Sequence, residues 1–250
     1  MRLTILGTSG AYPGPGRAAS GYLLQHDDFT VAVDLGTGVM ANLQQYVQFS
    51  DLDGVVISHE HVDHCVDLYS LWMARYFHPE PLPPLPLYAP AGVFDKVARL
   101  HDEPVNIEDM RGRFDVHNVE PGESFEVGPF RVDTRLMPHW VPNMGMRWQA
   151  DGQVLAYTGD TGPSEEIEAI GRDALALVTE ASWLDGQDNR PYHLTARQAA
   201  EHAARAGARK LVLSHFWPTN DRGASREQAA EAYEGEIVLA DEGMTLEIGP

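Results

Sequence analysis

Residues 59–64 read HEHVDH and follow directly on the apolar run GVVIS. Imidazoles and carboxylates are preferred ligands of zinc and related divalent ions, so three histidines and an aspartate within six residues point to metal chemistry. His59 and His61 are two apart, and on an extended turn they project to one side and can share an ion. Asp63 and His64 then open the next helix and can reach a second ion. The competing reading is a polar turn, but with 11 histidines in 250 residues such a run seldom arises by chance. Downstream, His139 closes VDTRLMP, Asp160 closes VLAYTG and His215 closes KLVLS. Each follows an apolar stretch that would end at one edge of a sheet, where rigid backbone can hold a ligand.

The elements needed to position these groups show as short β-branched runs at 3–8, 21–25, 29–36, 54–59, 86–90, 130–139, 154–160, 175–182, 210–217 and 236–240. They read as strands, several of them buried on both faces. Helical spacing appears over 65–77, where Cys65, Leu68, Tyr69, Trp72 and Tyr76 fall at three- and four-residue steps. TARQAAEHAARAG (195–207) opens on a threonine cap and ends at Gly207, and SREQAAEAYEG (225–235) has the same form. VGPF (127–130) and ADGQ (150–153) read as hairpin turns. The expected class is α/β, rich in hairpins, in one domain spanning 1–250. HPEPLPPLPLYAP (78–90) carries six prolines and reads as a stiff loop inside that domain, since strand-like segments flank it and composition does not shift.

Lys and Arg total 18 against 37 Asp and Glu, a formal net charge of −19, which repels phosphate backbones and argues against a long nucleic-acid partner. Cys65 is the single cysteine, so paired-cysteine zinc sites and internal disulfides are excluded and a cytoplasmic setting is expected. No run of 18 apolar residues is present and no export signal is readable, so no membrane association is expected.

With these residues in view, the sequence resembles the metallo-β-lactamase superfamily over nearly its whole length. The resemblance implies a four-layered αββα sandwich with the site along one edge of its two sheets. It implies that His59, His61 and His139 hold one zinc, that Asp63, His64 and His215 hold the other, and that Asp160 bridges both. Manganese or iron would also suit such ligands. LTILGTSGAYPGPGRAASGYLL, VDLGTG, YTGDTG and HLTARQAAEHAARAGARKLVLSHFWP look like the ribonuclease Z and phosphodiesterase branch. SHEHVDHCVDLYSLWMARYFHP, EASW and LSHFWP look more like a bacterial set that includes atypical class II cyclic-nucleotide phosphodiesterases. That branch implies a catalytic role for His193, upstream of the helix at 195–207, and homodimers are common in it.

The expected activity is metal-dependent hydrolysis of a small cyclic or linear phosphodiester. Two ions roughly 3.5–4 Å apart can activate a water and stabilise entering and leaving oxygens. His193 could donate a proton to the leaving alkoxide, and Asp63 could also accept the proton of the nucleophile. Alternatives are a ribonuclease Z-like endonuclease, which would need a tRNA-gripping arm that no long insertion here supplies, a thiolester or lactone hydrolase on the same metals, and a sensor without turnover.

Weaker candidates carry bland readings beside the functional ones. GTSGAYPGPGR (7–17) lacks the lysine and Ser/Thr of a phosphate-binding loop; Arg17 could meet a substrate phosphate, or the segment could be a plain connection. Trp140, Trp183 and Trp217 could stack on a nucleobase or serve as packing. Asp34 and Glu180 could hydrogen-bond metal ligands or be ordinary strand-end carboxylates. Cys65 reads as a small buried apolar group. His26, His78, His101, His117 and His202 read as surface or structural.

Overall fold

The computed structural model describes residues 1–100, 104–187 and 191–249, with backbone alone for 104–107, so His101 lies outside the described residues. Among the described residues, fourteen strands form two seven-stranded sheets. The first contains β1 (Arg2–Gly7), β2 (Gly21–His26), β3 (Phe29–Leu35), β4 (Gly54–Val56), β5 (Leu85–Ala89), β6 (Phe114–Asn118) and β14 (Thr245–Glu247), in the order β14-β1-β2-β3-β4-β5-β6. The second contains β7 (Ser124–Val127), β8 (Phe130–Leu136), β9 (Met144–Ala150), β10 (Gln153–Tyr157), β11 (Ala176–Glu180), β12 (Lys210–Ser214) and β13 (Glu236–Leu239), in the order β13-β12-β11-β10-β9-β8-β7.

Alternation along the strands explains the layering, because successive side chains point to opposite faces. Tyr22 and Leu24 of β2 face the second sheet, where they meet Trp148, Leu155, Tyr157 and Val178, whereas Leu23 between them faces the outer helices. Outside the first sheet lie α1 (Val39–Leu43), α2 (Val62–Cys65), α3 (Asp67–Tyr76), α4 (Val93–Ala98) and α5 (Pro104–Arg113). Leu43, Leu68, Leu71, Trp72 and Val97 seal this face. Outside the second lie α6 (Glu165–Gly171), α7 (Ala196–Ala206) and α8 (Arg222–Ala230), with Ile167, Ile170, Ala199 and Ala203 packed on Leu177, Leu211 and Leu213. The result is the expected αββα sandwich. Because both faces of the central strands are covered, these strands read as continuous apolar runs.

Strand direction decides where the chemistry can sit. β3, β4, β5 and β6 run parallel, and β1 runs with β3 through two antiparallel steps. β8 likewise runs with β10, and β10, β11 and β12 are parallel. The C-terminal ends therefore gather at one edge of each sheet, and the two edges meet where Tyr157 of β10 donates to Asp34 of β3 at 2.7 Å.

Several strands end earlier than the apolar runs suggest. The run at 54–59 pairs only to Val56, that at 130–139 only to Leu136 and that at 210–217 only to Ser214. Ladder pairing stops there because the chain turns into the site. Both expected hairpins form, with Val127 opposite Phe130 and Ala150 opposite Gln153. In the second turn Asp151 and Gly152 both have positive φ, the conformation that the Asp-Gly pair favours. The helix expected over 65–77 is broken at Val66 into α2 and α3, and Leu71 and Arg75, not the exposed Tyr76, complete its buried face. α7 follows its sequence signature: the Thr195 and Gln198 side chains cap each other's backbone N–H groups, and Gly207 closes the helix in the left-handed region. Residues 78–84 are irregular, and the carbonyl of Pro83 accepts from the buried Arg75 guanidinium. Among the described residues no helix is long and apolar enough to cross a membrane.

Candidate metal centre

His59 lies in the connector after β4, His61 immediately precedes α2, and Asp63 and His64 occupy α2. His139, Asp160 and His215 follow β8, β10 and β12. The structure brings all seven together as two overlapping groups whose ligand atoms lie within 4.8 Å of one another. One is His59, His61, His139 and Asp160, and the other is Asp63, His64, Asp160 and His215. Asp160 belongs to both. Its Oδ2 lies 3.8 Å from Nε2 of His59 and of His139, while its Oδ1 lies 3.1 Å from Nε2 of His64 and of His215.

The outward nitrogens explain why these rings face inward. The Ser58 hydroxyl donates to Asp34 and is thereby left to accept from His59 Nδ1 at 3.0 Å. Asp34 accepts from His64 Nδ1 at 2.7 Å, and the Tyr192 carbonyl accepts from His139 Nδ1 at 3.3 Å. Ser182 donates to Glu180 and accepts from His215 Nδ1 at 2.9 Å. The Nδ1 atoms of four histidines are thus each committed to an outer partner, which turns their Nε2 atoms toward one another, the arrangement that outer partners impose on metal ligands. His61 is turned the other way, with Nδ1 3.1 Å from His59 Nε2 and 2.9 Å from His139 Nε2. His64 Nε2 and Asp160 Oδ1 are buried, 3.1 Å apart, and neither makes a hydrogen bond of good geometry. Buried polar atoms without partners are costly, and a cation between them removes that cost. The residues present therefore fit two divalent ions.

Charge in the cluster follows from burial and proximity. Burial pushes His59 well below the ordinary histidine range, and His64 beside it adds to the effect. Burial opposes the imidazolium of His64 too, but Asp160, Asp63 and Asp34 surround it and hold its pKa well above the usual value. Burial would raise Asp63, yet His64 and the hydrogen bond from His215 hold its carboxyl well below the usual carboxylate range. Its Oδ2 also accepts from the backbone N–H of Ala11 at 2.8 Å. His215 sits at φ 51°, and this left-handed conformation of a non-glycine residue aims its ring at the cluster.

His193 stands beside the cluster. Its Nδ1 lies 3.1 Å from Glu180 Oε2, and its ring stacks on His215 at 5.9 Å between centroids and 15° between planes. Burial works against its imidazolium, but the Glu180 carboxylate outweighs burial and holds the pKa at about 9. Glu180 also accepts from the backbone N–H groups of Thr161 and Leu194, so its role is to join the β10, β11 and α7 loops.

Asp34 accepts four hydrogen bonds, from the Ser58 N–H and hydroxyl, His64 and Tyr157. Nothing in the sequence pattern marks Ser58, Tyr157 or Ser182 as members of this network; their signal is position alone, at or just past strand ends. The 8–17 loop does border the cluster, and a Cβ on Gly10 would lie 2.7 Å from the His215 ring. Arg17, however, is committed to Asp241 and Glu242, so two carboxylates already neutralise it. Trp140 lies over His139, whereas Trp183 and Trp217 pack against each other with ring centroids 4.5 Å apart and planes tilted by 34°. Cys65 is buried. His26 meets Asp151 and His202 meets Glu168, both as structural pairs. His78 and His117 bond locally at Glu80 and Asp115.

Residues 30–216 match the family model of the β-lactamase superfamily domain. The chain belongs to the β-lactamase superfamily. An uncharacterised superfamily relative from Mycobacterium leprae (strain TN) is 33% identical over 253 residues, covering 99% of this chain and 89% of that one. "Probable metallo-hydrolase YhfI" of Bacillus subtilis (strain 168) is 28% identical over 99% of this chain and 100% of its own. The crystal structure of YhfI superposes with a TM-score of 0.88 over 98% of each chain at 26% identity. A ribonuclease Z of Mycolicibacterium gilvum (strain PYR-GCK) is 28% identical over 100% of this chain and 97% of its own. Metal-dependent hydrolase is the enzyme class these superfamily relatives support.

Proposed function

We propose that this enzyme is a dinuclear phosphodiesterase acting on a small cyclic or linear nucleotide diester. The observation that carries the reading is His193, stacked on His215, with Nδ1 committed to Glu180 and Nε2 left for the substrate side. A hydrolase expelling an alkoxide benefits from a proton donor at that position, and a thiolate leaving group needs one far less. His59, His61 and His139 would hold one ion, Asp63, His64 and His215 the other, and Asp160, which belongs to both groups, would serve both. Bound there, two zinc ions, or manganese or iron(II) in their place, would lower the pKa of a water towards about 7 and neutralise charge on the phosphoryl oxygens. Asp63, kept ionised, can accept the proton of the nucleophile, while His193 delivers one to the departing oxygen. Thr161 N–H and Leu194 N–H fix Glu180, and Glu180 fixes the His193 ring.

The reading includes a single domain, a cytoplasmic setting suggested by the cysteine content, and a homodimer as in the resembling branch. The full-length match to a ribonuclease Z favours a second reading, 3′ processing of tRNA, against which the net charge of −19 weighs. Metal analysis followed by assays on bis-p-nitrophenyl phosphate, cyclic AMP, a precursor tRNA and a thiolester separates the possibilities. Turnover of the small diesters is expected, and turnover of the thiolester alone would sink the proposal. His193→Ala should keep its metal while turnover falls by about 10²-fold or more; near-normal turnover would remove His193 from the mechanism.

A further inference from the structure

The mouth of the cluster carries an exposed aromatic pair that the chemistry above does not use. Trp140 is 53% exposed, although the His139 side chain beneath it is 1% exposed. The indole lies 8° from parallel to the His139 ring at 6.0 Å, and it comes within 6.1 Å of His61 and 6.4 Å of His193. Tyr192 meets it edge-on at 5.5 Å and 79°. Both residues are held by backbone. Trp140 sits in a turn closed by hydrogen bonds from Met137 N–H to the Asn143 carbonyl and from Gly162 N–H to the Pro138 carbonyl, and the Tyr192 carbonyl accepts from His139. An exposed indole fixed in this way costs little further ordering when a ligand arrives.

On the phosphodiesterase reading, we propose that Trp140, braced by Tyr192, is a stacking platform for a planar aromatic group, a nucleobase, flanking the phosphorus held at the metal cluster. Three features point to that occupant. The open face of the indole is apolar and flat, which suits a π-system. It adjoins the His59, His61 and His139 side of the cluster and also His193, so a group attached to the reacting phosphate through a sugar passes over it. Among the described residues, Arg17, the arginine of the neighbouring loop, is paired with Asp241 and Glu242 and is not free to draw the ligand away from the indole. Recognition then rests on stacking, which tolerates different bases.

The test compares adenosine 3′,5′-cyclic phosphate with methyl riboside 3′,5′-cyclic phosphate, which has the same reacting diester and no base. The wild type should favour the base-bearing substrate in kcat/KM by about tenfold or more. Trp140→Ala should bring the two substrates to parity, and Trp140→Phe should restore the preference. A parallel loss on both substrates would mean that Trp140 acts only through His139, and with an unchanged ratio it likewise overturns the platform. Binding is read separately from turnover: AMP should quench the tryptophan fluorescence of the wild type, while ribose 5-phosphate should not, and Trp140→Ala should abolish the AMP response. Equal quenching in wild type and Trp140→Ala overturns the proposal. If neither cyclic substrate nor bis-p-nitrophenyl phosphate is hydrolysed but the AMP response still depends on Trp140, the platform stands and the phosphodiesterase reading fails.

Discussion

At the scale of single residues, the centre depends on which nitrogen of each histidine is already engaged. Asp34 illustrates this: one buried carboxylate fixes His64 directly and His59 through Ser58, and accepts the Tyr157 hydroxyl from the opposite sheet. Burial next to Asp34 raises the Tyr157 pKa far above the tyrosine range and keeps its proton in place. Asp34→Asn presents an amide N–H to groups that are themselves donors. Metal affinity should fall by about 10–100-fold, measured by chelator competition; unchanged affinity would reduce Asp34 to a packing residue. His193 supplies a pH-dependent readout in the metal-free protein. With a folded pKa near 9, above the ordinary unfolded value of about 6.5, its pairing with Glu180 stabilises the fold fully below that unfolded value and is lost as pH rises through 9. Urea midpoints of wild type and Glu180→Gln should therefore differ more at pH 6 than at pH 10. A pH-independent difference would contradict the assignment.

At the scale of elements, strands deliver ligands and loops close over them. The 8–17 loop bridges to both sheets, pairing Ser9 with Ala19 and with Phe216, and it approaches His215 so closely that only glycine fits at position 10. Gly10→Ala should cost about 1–3 kcal/mol by overpacking and displace the His215 ring, so dialysed protein should retain less metal than the wild type. Full metal retention would show that the loop yields and the ring does not. Gly36 is under the same constraint, since a Cβ there would lie 2.0 Å from the Asp63 carbonyl oxygen. The strands with continuous apolar runs and the capped α7 could be read from local pattern. β6, β14, α1, α4 and α6 could not. FDVHN and TLE are short edge strands with few buried side chains, and the helices span only five to seven residues, too few for a helical period to declare itself.

At the scale of the whole molecule, 37 acidic against 18 basic residues make the compact state self-repelling. Screening should relieve this, so the melting temperature of the metal-free protein should rise between about 20 mM and about 300 mM sodium chloride. A flat or falling profile would mean that local ion pairs such as Arg197 with Glu231 outweigh the net charge.

The types and spacing of the ligands belong to the sequence. HEHVDH and the His and Asp residues after apolar runs are local patterns, and strand ends recur wherever a buried run meets a turn. Tertiary structure decided the rest. Whether Asp160 reaches both groups, which face of His193 meets Glu180, that Trp140 lies over His139 while Trp183 and Trp217 pair off, and that Arg17 is spent on Asp241 and Glu242 all depend on residues far apart in the chain. Sequence spacing carries no information about which strand lies opposite which. That is settled only when two sheets bury a common core and their C-terminal edges come into register.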